Sequence, residues 1–264
     1  MVYTTRRLSE DQAPLPDEIK IAKDGEPIQV LGALIGNKVD QASVWSPTLE
    51  NVDQRFIRWE QSHPTPEGRC LIVNLVAGGL TQYLTRVQGM PVDIETMLSK
   101  KVSKFMWGNA TPMVNIETLH SSHIRGGKSL LDIARRNRAI EIMKLRTYLQ
   151  PHAKRPRWTL VVEHLMGKTL PRSHVQVQDE VKLNVFLQNW KPKVRGDTKL
   201  SSGIHRLLRE AEQSKLLLDI PLPSVSLLQS LPIWHHKYLR KEEGVRNNSI
   251  WADCQRQVHG IKTV

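Results

Sequence analysis

Apolar residues recur in two different periods along this chain, and the change falls near residue 46. Before it, IKIAKDGEPIQVLGALIG holds short β-prone runs around Asp24-Gly25, and an Asp-Gly pair between such runs predicts a hairpin. Gly32 and Gly36 flank Ala33-Leu34-Ile35, as happens where a strand bends or another backbone comes close. From Ser46 the period is helical. Ser46 reads as a cap, Pro47 as the first helical residue and Glu50 as a first-turn acid, with Leu49, Val52, Phe56 and Trp59 on one face.

Thr65 and Pro66 open a second, longer helix whose stripe is Ile72, Leu75, Val76, Leu80, Tyr83, Leu84 and Val87. Gly89 ends it and Pro91 starts a third, over 92–107, with Ile94, Leu98, Val102, Phe105 and Met106 inward. Gly78 and Gly79 in mid-helix each cost about 1 kcal/mol relative to alanine. They point to close approach by a packed helix or a nucleic-acid strand, with packing the preferred reading. A fourth helix over Leu131–Leu149 turns Ile133, Ile140, Met143 and Leu149 inward and sets Arg135, Arg136, Arg138 and Lys144 on other faces. A short amphipathic piece follows from Trp158 to Met166. Beyond Lys168, turns and prolines dominate, apart from a helix in SGIHRLLREAEQSKLLL and a packed aromatic turn or short helix in LPIWHHKYLR.

The expected fold is mainly α. A disordered lead-in (1–17) and a β-hairpin (18–40) precede a helical bundle (41–110), a helical connector (111–170) and a loosely organised helical C-terminal region (171–264).

Charge narrows the choice of partner. Among 264 residues, 38 Lys and Arg face 26 Asp and Glu, a net +12 that favours polyanions, nucleic acid first. Chemistry is harder to find. There is no Asp-Asp pair, no G-x-S-x-G elbow and no phosphate-cradling glycine motif. Cys70 and Cys254 are the only cysteines, too few for a disulfide framework, so a reducing, intracellular compartment (nucleus or cytoplasm) is expected. His235, His236, Cys254 and His259 match no standard zinc spacing. The first residues lack the apolar centre of a secretory signal, and no run of about 18 apolar residues suggests a membrane span.

Several quoted stretches, taken in order, resemble a known family. They are LGALIG, the Trp59 helix, GR opening the long helix, MP starting the next, KFMWG, GGKSLLD and RNRA. This series is similar to the region after the polymerase core of non-LTR (LINE-like) retrotransposon reverse transcriptases, especially fungal ones, over roughly residues 19–150. The resemblance implies that the hairpin ends a polymerase palm and the helices after it form a thumb holding the template–primer duplex. It also implies that the catalytic aspartates and their magnesium belong upstream of such a strand, so no cofactor is expected in this chain. The residues expected to meet phosphates are Arg69, Gln82 and Arg86 on the long helix and Lys100, Lys101 and Lys104 on the next, with Lys154–Arg157 as the next candidate. Each alone also reads as a solvated surface charge. The expected function is weak, sequence-independent binding of duplex or RNA–DNA hybrid by a reverse-transcriptase fragment that does not polymerise alone. An alternative is a protein–protein interaction module derived from such an element.

Overall fold

The computed structural model describes residues 23–36, 38–108, 110–150, 154–170, 185–186, 188, 190–192, 200–213, 225, 229, 232–236, 247 and 249–263. The expected lead-in and the first β-prone run, Ile19–Ala22, lie outside the described residues. The described chain is mainly helical, with one short antiparallel sheet at its start. It divides into two compact units, residues 1–133 and 134–264.

In the first unit, β1 (Ile28–Val30) pairs with β2 (Ala33–Ile35), Val30 facing Ala33. The joining turn is therefore Leu31-Gly32, not Asp24-Gly25. Leu31 and Gly32 both have positive φ (49° and 81°), the mirror-image turn whose twist suits two antiparallel strands. Asp24-Gly25 makes a separate turn, closed by the Glu26 amide donating to the Lys23 carbonyl at 3.0 Å.

Helix α1 (Gln41–Glu60) starts earlier than its sequence suggests. Asp40 is the cap, accepting from the Ala42 and Ser43 amides at 3.1 and 3.0 Å, so Ser46 and Pro47 lie inside the helix. The extra turn carries Val44 and Trp45 into the core beside Leu49, Val52 and Phe56. That burial outweighs the amide hydrogen bond Pro47 cannot make. Trp59, expected on the same face, is 44% exposed in the last turn.

Thr65 and Pro66 do open the long helix, with the Thr65 hydroxyl accepting from the Gly68 amide at 3.2 Å. This helix runs as α2 (Pro66–Val73), a π turn (Asn74–Gly78) and α3 (Gly79–Gln88). The π turn inserts a residue and rotates everything after it by about 100°. Inward positions then become Ala77, Thr81, Leu84 and Thr85. Leu75 is 70% exposed, Tyr83 and Val87 are also exposed, and Leu80 is half-buried, which corrects the expected stripe. Thr81 and Thr85 tolerate burial because their hydroxyls donate to the carbonyls of Ala77 and Thr81 one turn earlier. Of the two glycines, only Gly78 is approached: a Cβ there would lie 3.4 Å from the Leu131 side chain, while one at Gly79 would meet nothing within 4 Å.

Helix α4 (Val92–Trp107) has the expected bounds and buries the expected five residues. Phe56 of α1 stacks on its Phe105, ring centres 4.3 Å apart. After α5 (Ile116–His120), capped by Asn115, the GGKSLLD loop returns to the long helix. Asn74 clamps it there, donating to the Ser129 carbonyl at 3.1 Å and accepting from the Leu131 amide at 2.8 Å. By length and apolar content Pro66–Gln88 would suffice to cross a membrane, and half of its most apolar window is buried in this unit.

The second unit holds α6 (Ile133–Tyr148, from its second residue), α7 (Trp158–Gly167), α8 (Ser202–Gln213) and α9 (Ile250–Gln257). Leu145 and Tyr148 of α6 pack with Met166, Trp190, Ile204 and Leu207. The inward face of α6 differs from expectation. Asn137 and Glu141 are buried while Met143 is 54% exposed. Ion pairs explain the exchange: Glu141 lies 2.9 Å from Lys144 and 3.8 Å from Arg206 of α8, and Arg138 reaches Glu210 at 3.1 Å. Near the C-terminus, Trp234 is buried, donates from its indole to the Ile261 carbonyl and lies 4.8 Å beneath the Arg256 guanidinium.

Candidate nucleic-acid interface

The six residues expected to meet phosphates have different fates. Arg69 leans across α4. Its guanidinium donates to the Phe105 carbonyl, lies 5.1 Å from that ring's centre and sits 3.6 Å from the Glu60 carboxylate. It therefore joins the end of α1, the start of α2 and the last turn of α4. Lys101 is paired with Asp53 of α1. Both cations are spent inside the unit.

Lys100 and Lys104 are exposed on the outer face of α4. Gln82 and Arg86 are exposed on α3. These pairs do not form one patch. The link after α3 is only Gly89–Pro91, so α4 folds back along the long helix, and the Arg69–Phe105 bond sets Lys104 near its beginning. Gln82 and Arg86 lie 13 and 17 residues past Arg69, about 20 to 25 Å further along. There the long helix meets the hairpin. The Tyr83 hydroxyl donates to the Leu31 carbonyl, and Gln88 exchanges both amide bonds with the Leu34 backbone.

Charge is the larger difference. Residues 1–133 carry 14 Lys and Arg against 15 Asp and Glu, whereas residues 134–264 carry 24 against 11. The bundle is close to neutral, and the whole positive surplus belongs to the second unit. The asymmetry is visible in the sequence when charge is counted by halves, and hidden in the net total of +12.

Three other titratable groups of the first unit serve the fold: Glu67, Lys128 and Cys70. Glu67 and Lys128 form a 2.6 Å ion pair that holds the GGKSLLD loop, and the Lys128 bond lowers the Glu67 carboxyl below its usual range. Burial pushes the Cys70 thiol up, the opposite of what a reactive thiolate needs. His235, His236, Cys254 and His259 do not converge. Among the described residues, no three His, Cys, Asp or Glu side chains come together as metal ligands.

Compared with known proteins, the chain matches no family model, no curated protein and no solved structure.

Proposed function

We propose that this chain is the post-polymerase part of a non-LTR reverse transcriptase, binding nucleic acid without polymerising on its own. One observation supports the reading. Within the first unit, the long helix that opens at GR bonds to three of the other stretches that carry the resemblance. The LG hairpin is held by Tyr83 and Gln88 of the long helix. Arg69 of the GR pair is bonded to Phe105 of KFMWG. GGKSLLD is clamped by Asn74.

The test has two parts. The purified chain should bind a labelled RNA–DNA hybrid at low salt, with affinity falling steeply as salt rises. It should incorporate no nucleotide on a primed template with magnesium or manganese, because its sequence holds no Asp-Asp pair of the kind that two-metal polymerase chemistry uses. Absence of binding at low salt would refute the reading. So would incorporation abolished by changing an acid of this chain.

A second reading, a protein-interaction module, is favoured by the exposed apolar residues on the hairpin and long helix: Ile28, Val30, Leu31, Leu71, Leu75 and Tyr83. A protein complex insensitive to salt would support it against the first.

A further inference from the structure

We propose that the nucleic acid is held by the second unit, as a single strand, on a surface carrying Arg146, Lys154 and Arg157 with Trp158 as its stacking platform. Lys168 extends this surface. The inference rests on the nucleic-acid reading above and relocates its contact from the bundle to the region around α7.

The first support is an unequal pairing of charges. Every described acid of the second unit is held in an ion pair: Glu141 with Lys144, Glu163 with Arg155, Glu210 with Arg138, Glu212 with Lys191 and Asp253 with Arg256. Arg146, Lys154, Arg157 and Lys168 are exposed and have no such partner among the described residues. Surplus cations with no acid to quench them project a positive field. In the first unit, by contrast, Lys100 and Lys104 share α4 with Asp93 and Glu95 in a neutral body.

The second support is where those cations sit. Arg146 is in the last turn of α6, and Lys154 and Arg157 lie in the link to α7. Arg155 fixes that link from beneath. It donates to the Gln150 carbonyl at 2.7 Å, pairs with Glu163 and lies 5.7 Å from the centre of the Tyr148 ring. With Arg155 turned in, its neighbours Lys154 and Arg157 are left facing water. Positions 157, 161, 164 and 168 recur at four, three and four residues, so Arg157 and Lys168, the residues flanking α7, bound one outward face of it.

The third support is aromatic. Trp158 is 39% exposed, and its inner side rests against Tyr148, ring centres 6.1 Å apart. A tryptophan anchored on one side and open on the other, among unpaired cations, offers a base a π-face and its backbone a positive track. Duplex DNA presents no free base for such stacking, which is why a single strand is the ligand assigned. Beside Trp158, the exposed apolar residues of α7 are Leu160 and Val161, a narrow face for an anionic membrane, and vesicle binding tests that alternative.

The experiment uses the full chain and a labelled single-stranded oligonucleotide, read by fluorescence anisotropy across a salt series. The R146E/K154E/R157E variant should weaken binding at least tenfold and flatten the log–log salt slope by roughly two, at about 0.7 per lost phosphate contact on single strands. W158A should weaken binding several-fold with the slope unchanged, and a matched duplex should bind no better than the single strand. Thermal melting shows whether each variant folds; the three charge changes are on exposed side chains and decide the matter if W158A does not. Loss of binding in K100E/K104E, with the second-unit variant unaffected, would overturn the location and leave the nucleic-acid reading intact. Phosphatidylserine vesicles that displace the oligonucleotide, bind more tightly than it does and lose binding in R146E/K154E/R157E would overturn the ligand. A wild-type chain that binds no nucleic acid at low salt would defeat the parent reading itself.

Discussion

The guanidinium of Arg69 donates to the carbonyl of Phe105 and lies 5.1 Å from the centre of the same residue's ring. One side chain thus satisfies an orphan carbonyl near the end of α4 and covers an aromatic that stacks on Phe56. Removing it with R69A should cost about 2 to 3 kcal/mol, a charged hydrogen bond plus a partly desolvated cation–π contact. R69K should recover only part, because an ammonium lacks the planar fork. Urea denaturation measures both. Nucleic-acid affinity should stay within about twofold once the variant is folded. Lost affinity at unchanged stability would return Arg69 to the interface.

Asn74 bonds two backbone groups of the GGKSLLD loop, so N74A should leave the Ser129 carbonyl and the Leu131 amide without it. A loss of about 1 to 3 kcal/mol is expected, with faster amide exchange at Leu131. Exchange unchanged from wild type would show that the loop holds itself.

Glycines that look alike in the sequence should respond in opposite directions. Gly79 has ordinary helical backbone and open space where a Cβ would go, so G79A should raise stability by about 0.5 to 1 kcal/mol. A Cβ at Gly127 would fall 2.0 Å from the Ser121 carbonyl oxygen, so G127A must move backbone and should lose about 1 to 3 kcal/mol. Thermal melts of the pair provide the comparison. A destabilising G79A would mean that something does approach that face.

Burial lowers the pKa of His236 below the usual histidine value. The unfolded chain therefore takes up a proton first as pH falls through about 6.5, and from there down the folded state loses its advantage. Stability should be fully present above about pH 6.5 and decline as the pH falls below it. H236N should flatten this part of the profile. An unchanged profile would assign the dependence to other histidines.

What could be read from the sequence depended on whether one signal or two competed at a position. Helix α4 was legible because Pro91, five regularly spaced apolar residues and Gly108 all agree. The start of α1 was not. Ser46-Pro47 has the form of a helix opening, yet Asp40 caps better when the extra turn buries Trp45. The hairpin was legible, but Leu31 at positive φ hid its turn, since leucine seldom adopts that conformation. In α6, the period sent Met143 inward, and only the ion pairs with α8 make Glu141 the better occupant. The candidate lysines were identifiable as exposed, but Lys101 was not separable from its neighbours until Asp53 of another helix was placed beside it.

The π turn at Asn74–Gly78 leaves the long helix with two rival stripes after residue 78. One, through Thr81 and Thr85, is inside; the other, through Leu80, Tyr83 and Val87, is the more oily and faces partly or wholly out. Deleting a single residue within the bulge would restore plain helical winding and rotate the second stripe inward. The hydroxyl of Tyr83 and the amide of Gln88 would then swing away from Leu31 and Leu34, undocking the hairpin while the helix itself stayed intact. One inserted residue thus works as a latch, tying the strands to the helices by holding a less oily face inside.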